Sequence, residues 1–178
     1  MAEADLMALP ADALSAVTAQ VGANLEGEHN GTGLRFGIAC ARFNGGVTMR
    51  LLQGALNALA AAGTDRRDIT VAWAPGAFEL PLVAQAFAQA GKVNAVLSFG
   101  AVIRGDTGHY DFVAGECASG LQRVQLDTGV PVVFGVLTTE TLEQALERSQ
   151  PDESNKGWEA ALTGMEMVRL LRTRALSS

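Results

Sequence analysis

Four short apolar runs punctuate the chain: Leu34–Cys40 (LRFGIAC), Ile69–Ala74 (ITVAWA), Ala95–Ile103 (AVLSFGAVI) and Pro131–Thr138 (PVVFGVLT). Each is rich in β-branched or aromatic residues and apolar on successive positions, which predicts parallel strands covered on both faces. The segments between them keep a helical rhythm. Leu52, Leu56 and Leu59 fall at i, i+4 and i+7, and Leu80, Val83, Ala84 and Phe87 form a second stripe that Gly91 ends. Val113, Cys117, Leu121 and Val124 form a third stripe, and Leu162, Met165 and Leu170 lie on a last helix. This alternation predicts an α/β fold, a three-layer sandwich around a four-stranded parallel sheet. Ahead of it, residues 1–16 are Ala-rich and weakly patterned, which predicts a mobile arm. Val17 to Leu25 (VTAQVGANL) suits a short edge strand, and Glu26 to Gly33 a loop. No repeat or linker interrupts residues 17–178, so they are expected to form a single domain.

Composition narrows the classes. Charged residues make up 18% of the 178 residues, below the roughly 25% of an average soluble chain, which points to surface hidden against other copies in a homo-oligomer. The formal net charge is −6 with no cluster of Lys and Arg, so the footprint of a nucleic-acid binder is missing. No apolar stretch approaches the ~20 residues of a membrane span. Cys40 and Cys117 sit in apolar patterns without metal-binding spacing and read as small core residues in a reducing compartment. The acidic, Arg-free start (MAEADLMALPADAL) resembles no targeting peptide. The cytoplasm is the expected location, and no metal is expected.

In folds of this kind ligands sit beyond the carboxyl ends of the strands, and each strand end carries unusual residues. After the first comes "ARFNGGVT", which lacks a dinucleotide fingerprint. Phe43 there either caps the following helix or offers a stacking face to a flat heterocycle. After the second comes "PGAFELP". Glu79 in the first helical turn either answers the positive helix end or accepts hydrogen bonds from a polyol. After the third comes "RGDTGHYD", in which Gly105 and Gly108 permit close backbone approach. The N–H groups of Asp106 and Thr107 at a helix start form an anion cradle, or one of the two residues is merely the N-cap. His109 just beyond is either suited to moving protons or an ordinary surface residue. After the fourth, Thr139 and Glu143 suggest a helix start. Arg148 and Lys156 then flank a polar loop, either as ordinary cations near a helix end or, for Arg148, as a bidentate phosphate clamp.

In order along the chain, "FN", "PGAFELP", "GAVIRGDTGHYDFV", "GVPVVFGVLTTETLEQALERS" and "NKGWEAALTGMEM" resemble lumazine synthase, from about Leu34 to the C-terminus. The resemblance implies a flavodoxin-like sandwich. It also implies a transferase of riboflavin biosynthesis that condenses 5-amino-6-(D-ribitylamino)uracil with 3,4-dihydroxy-2-butanone 4-phosphate, without a cofactor. By the family pattern, Phe43 stacks on the pyrimidine, Ala77 with Glu79 meets the ribityl chain, and Phe78 between them is substrate-binding. Ala101, Val102 and Ile103 line the ring pocket; Gly105, Asp106 and Thr107 hold phosphate; His109 moves protons. Phe134, Arg148 and Lys156 match residues contributed by a neighbouring subunit. Arg104 belongs to the motif, but a structural ion pair explains it as well. The family assembles as pentamers, in some members as an icosahedral shell of twelve pentamers that can enclose riboflavin synthase. The short Arg148-to-Lys156 connection resembles the shell-formers. Val17 to Leu25 resembles the strand that pairs with a neighbouring subunit's sheet, and Gly115 and Gly120 suit close helix approach around the five-fold axis. Two rivals are a non-catalytic shell scaffold of this fold and an isomerase of another phosphorylated keto-sugar. The second leaves Phe43 and "PGAFE" without a job.

Overall fold

The computed structural model describes residues 11–173 and 176. Four strands, β1 (Phe36–Ala41), β2 (Ile69–Ala74), β3 (Ala95–Ile103) and β4 (Val132–Thr139), form one sheet in the order β2-β1-β3-β4. Every pairing is parallel. Position in the sheet explains composition. All of β1 is buried, as is all of β3 except Ile103, so these central strands are apolar on both faces. The edge strands leave Trp73 on β2 and Phe134 on β4 exposed.

Helices α2 (Gly45–Ala61), α5 (Leu142–Glu147) and α6 (Lys156–Leu171) cover one face. Their core takes Phe36, Ile38 and Cys40 from β1, with Leu51, Leu59 and Met165 from the helices. Helices α3 (Leu80–Gln89) and α4 (His109–Thr128) cover the other, taking Ala39 and Ala41 from β1 with Leu80, Ala84, Cys117 and Leu121. The two-residue alternation along β1 thus feeds two cores, and the sandwich has three layers. Gly129, at φ 67°, stops α4 in the left-handed conformation that glycine adopts without strain. Gly157 lets α6 lie against α2, because a Cβ there would run into the Leu51 carbonyl.

Several details depart from the pattern-based reading. The helix after β4 is capped not by Thr139 but by Thr141, whose hydroxyl accepts from Gln144 N at 3.3 Å while the Gln144 side chain reaches back, a capping box. Gly120 faces Pro81 of α3, where a Cβ would come within 2.7 Å; packing inside the chain explains this glycine. Gly115 has nothing within 4 Å. At the amino end, residues 1–10 of the expected arm lie outside the described residues, and a helix α1 (Ala11–Thr18) occupies the rest. Val17 to Leu25 forms no strand in the single chain, where no partner strand answers its backbone groups. The segment that follows is strapped to α6: Arg169 donates to the carbonyls of Asn30 and Thr32 at 2.9 and 2.8 Å.

Candidate functional site

Three of the four strand tips meet in one cleft of about 650 Å³, bordered by Phe43, Ala77, Glu79, Ala101 and His109. The β1 tip is built by a left-handed residue. Asn44 sits at φ 56°, and its Nδ2 donates to the Ala101 carbonyl of β3 at 2.8 Å, which ties two strand ends together. Asparagine tolerates this conformation better than most side chains. The turn leaves Phe43 71% exposed at the mouth, so its ring does not serve as a buried cap over α2. Its N–H, with that of Arg42, extends the pairing toward Pro75 and Ala74 at 3.0 and 2.8 Å.

At the β2 tip a single 3₁₀ turn, Ala77–Glu79, precedes α3. Ala77 is buried, and Phe78 is exposed beside it on the cleft wall. Glu79 Oε2 accepts from Gly76 N at 3.0 Å, as the helix-end reading requires. Among the described residues Oε1 has no hydrogen-bond partner, which leaves it able to accept from a bound hydroxyl.

Beyond β3, Ala101, Val102 and Ile103 line the floor. Gly105 and Thr107 line the rim; Asp106 stands in the same exposed loop but off the lining. The N-cap of α4 is Gly108, without a side-chain cap. Thr107 Oγ1 accepts weakly from His109 N at 3.4 Å. Among the described residues the N–H groups from Gly105 to Gly108 meet no acceptor, as an anion site at a helix start needs. Arg104 does not enter the cleft. Its guanidinium bonds Asp111 at 3.2 Å and Glu140 at 2.8 Å and lies 4.0 Å over the Tyr110 ring, so it braces the loop against α4 and the β4 tip. Those two carboxylates raise its pKa further.

Phe134, Arg148 and Lys156 lie elsewhere. They border a second hollow of about 510 Å³ between β4, α4 and α6. Arg148 Nη1 rests on the Gln144 carbonyl at 3.3 Å, and Lys156 Nζ pairs with Glu159 at 2.7 Å. The two hollows share no lining residue, and the strand-tip cleft has no Lys or Arg in its lining. One chain therefore presents an apolar cleft with an imidazole at its rim and, apart from it, a face carrying two cations and an aromatic ring. Among the described residues no group of His, Cys, Asp and Glu could hold a metal ion, and no helix is long and apolar enough to cross a membrane.

Asn44, Tyr110 and Phe112 also line the cleft and were not singled out from the sequence, and Val113, read there only as part of a core stripe, lines it too. Asn44 had a readable signal, an Asn-Gly-Gly run at a strand end. The other three lie in the first turns of α4, where the hydrophobic pattern reads as core or surface.

Comparison with known proteins identifies the family. The family model for 6,7-dimethyl-8-ribityllumazine synthase matches residues 33–172, the stretch holding the sheet, both hollows and all helices but α1. A 6,7-dimethyl-8-ribityllumazine synthase from Syntrophus aciditrophicus (strain SB) is 52% identical over 147 residues, 83% of this chain and 96% of that protein. The chain belongs to the 6,7-dimethyl-8-ribityllumazine synthase family.

Proposed function

We propose that the strand-tip cleft and the cationic face are two halves of one active site, completed where neighbouring copies meet. There this lumazine synthase condenses 5-amino-6-(D-ribitylamino)uracil with 3,4-dihydroxy-2-butanone 4-phosphate to 6,7-dimethyl-8-ribityllumazine, releasing phosphate and water. The observation that carries this reading is the separation of parts. The cleft suits a flat ring and a polyol but has no cation for a phosphate, whereas Arg148 and Lys156 face a hollow with no imidazole.

The chemistry assigns work to each group. The pyrimidine ring stacks on Phe43 above Ala101, Val102 and Ile103. The ribityl hydroxyls reach Glu79 Oε1 beside Ala77 and Phe78. Phosphate rests on the N–H groups of the Gly105–Asp106–Thr107 loop and against Arg148 of the neighbouring copy, with Phe134 and Lys156 of that copy at the ring and its polar edge. The primary amine attacks the ketone and water leaves, giving an imine. Loss of phosphate yields an enol that tautomerises, and the ribitylamino nitrogen closes the ring with loss of a second water. His109 takes and returns the protons these steps move. Holding two reactants side by side contributes up to ~7–11 kcal/mol of barrier lowering in favourable cases, so the reaction needs neither metal nor organic cofactor.

The assembly is a pentamer, and the short turn between α5 and α6 favours packing of pentamers into an icosahedral shell able to enclose riboflavin synthase. Val17 to Leu25 pairs there with a neighbour's sheet edge. Residues 17–178 act as one domain, and the buried, unpaired Cys40 and Cys117 suit the cytoplasm.

The test is complementation. His109→Ala and Arg148→Ala are each expected to lose most activity. Co-assembled in equal amounts they recover activity, because roughly a quarter of the interfaces in a ring then join two unaltered halves. A mixture no more active than its components would place both halves on one chain and end the shared-site reading.

A further inference from the structure

Arg148 and Lys156 bracket the connection between α5 and α6, and the connection is closed on itself: Lys156 N donates to the Arg148 carbonyl at 2.9 Å. What fixes this closed turn to the body of the protein is Asn155, which is 1% exposed. Its Nδ2 donates to the Gln150 carbonyl inside the turn at 2.7 Å and to the Arg50 carbonyl of α2 at 3.2 Å. Its Oδ1 accepts from Gly157 N at the start of α6 at 2.8 Å. One amide thus joins the turn, α2 and α6. The seat is cut to fit, because a Cβ on Gly54 of α2 would strike the Asn155 carboxamide.

The cap alone does not require this residue, since Ser or Asp would satisfy the Gly157 N–H equally well. Only a side chain with an N–H₂ can also hold two carbonyls. The heads of Arg148 and Lys156 are exposed and touch only their own helices, so the direction in which they leave the protein is set by the turn beneath them. We infer that Asn155 is a positioning residue for the phosphate-binding half-site, aiming Arg148 through the turn it anchors. This rests on the reading of Arg148 given above.

The test is Asn155→Ser, which keeps a cap and removes the tether. KM for the butanone phosphate is expected to rise about tenfold, the scale on which loss of an orienting partner is felt, while the pH profile of kcat stays as in the unaltered enzyme. In Asn155→Ser/Arg148→Ala, KM should be no worse than in Arg148→Ala alone, because a residue acting through Arg148 has nothing left to aim. An unchanged KM in Asn155→Ser, or losses that simply add in the double variant, overturns the role of Asn155. Arg148→Ala with an unchanged KM overturns instead the assignment of Arg148 and this route with it. Should Asn155→Ser not fold, Gly54→Ala, which pushes the same amide from the α2 side, is expected to raise the same KM, and an unaltered KM there is equally fatal.

Discussion

Glu79 shows how a structural role and the proposed binding role can share one side chain. One carboxylate oxygen is held by Gly76 N at 3.0 Å, which fixes the rotamer, and a fixed rotamer is what a ligand-facing acceptor needs. The chemical types at the strand tips were legible because glycine, histidine and carboxylates are out of place at the end of an apolar run. Asn44 was less legible, since its work depends on a φ of 56° and a carbonyl that lies 57 positions away. The two cysteines were legible as core. Burial pushes the Cys40 thiol from 9.0 up to about 11, against a smaller lowering by the Thr48 hydroxyl, and the Cys117 thiol up to about 12. Both should stay unalkylated in the native protein near neutral pH and react once urea unfolds it. The sign of the linkage follows. Stability tied to the neutral thiols is intact below about pH 9 and is lost as the pH rises toward 11 and 12, because the unfolded thiols release protons that the folded ones keep. Urea midpoints that hold constant between pH 8 and pH 11 would contradict this.

Elements were legible where their own residues decide them. The four strands are found at or within two residues of the apolar runs. Burial on both faces explains this for β1 and β3, whereas the edge strands β2 and β4, expected to be covered on both faces, are only partly buried. Strand order was not legible, because apolar runs carry no record of their neighbours. The amino-terminal segment forms no strand for a related reason: β propensity in Val17 to Leu25 has no expression without a partner edge. The contact of α6 on α2 turns on glycines that the pattern did not flag. Gly157→Ala gains up to about 1 kcal/mol of helix propensity, but its Cβ would collide with backbone at Leu51, which cannot step aside as a flexible side chain can. Overpacking of this kind costs about 1–3 kcal/mol. The expected net effect is destabilisation by up to about 2 kcal/mol, read as a lower urea midpoint at fixed protein concentration. A midpoint at or above that of the unaltered protein would show that the helices separate freely.

At the scale of the whole molecule, the face of α4 turned away from the sheet is unfinished. Phe112 and Leu126 are each 72% exposed, Leu82 of α3 is 70% exposed, and Gly115 lies between the first two on the outward stripe of the helix. A mid-helix glycine with nothing within 4 Å costs about 1 kcal/mol of helix propensity, and the described chain itself gives it no use. Close approach of α4 from a neighbouring copy in the proposed pentamer supplies one. Gly115→Leu separates the two levels. Within one chain the larger residue meets open space and favours the helix, so circular dichroism should keep its helical signal. Between chains it holds the helices apart, so sedimentation should shift toward single chains. Activity should fall with it, because in the proposed shared site the cleft and the cationic face then no longer meet. A Gly115→Leu protein that sediments and turns over like the unaltered one would move the subunit contact away from this face of α4.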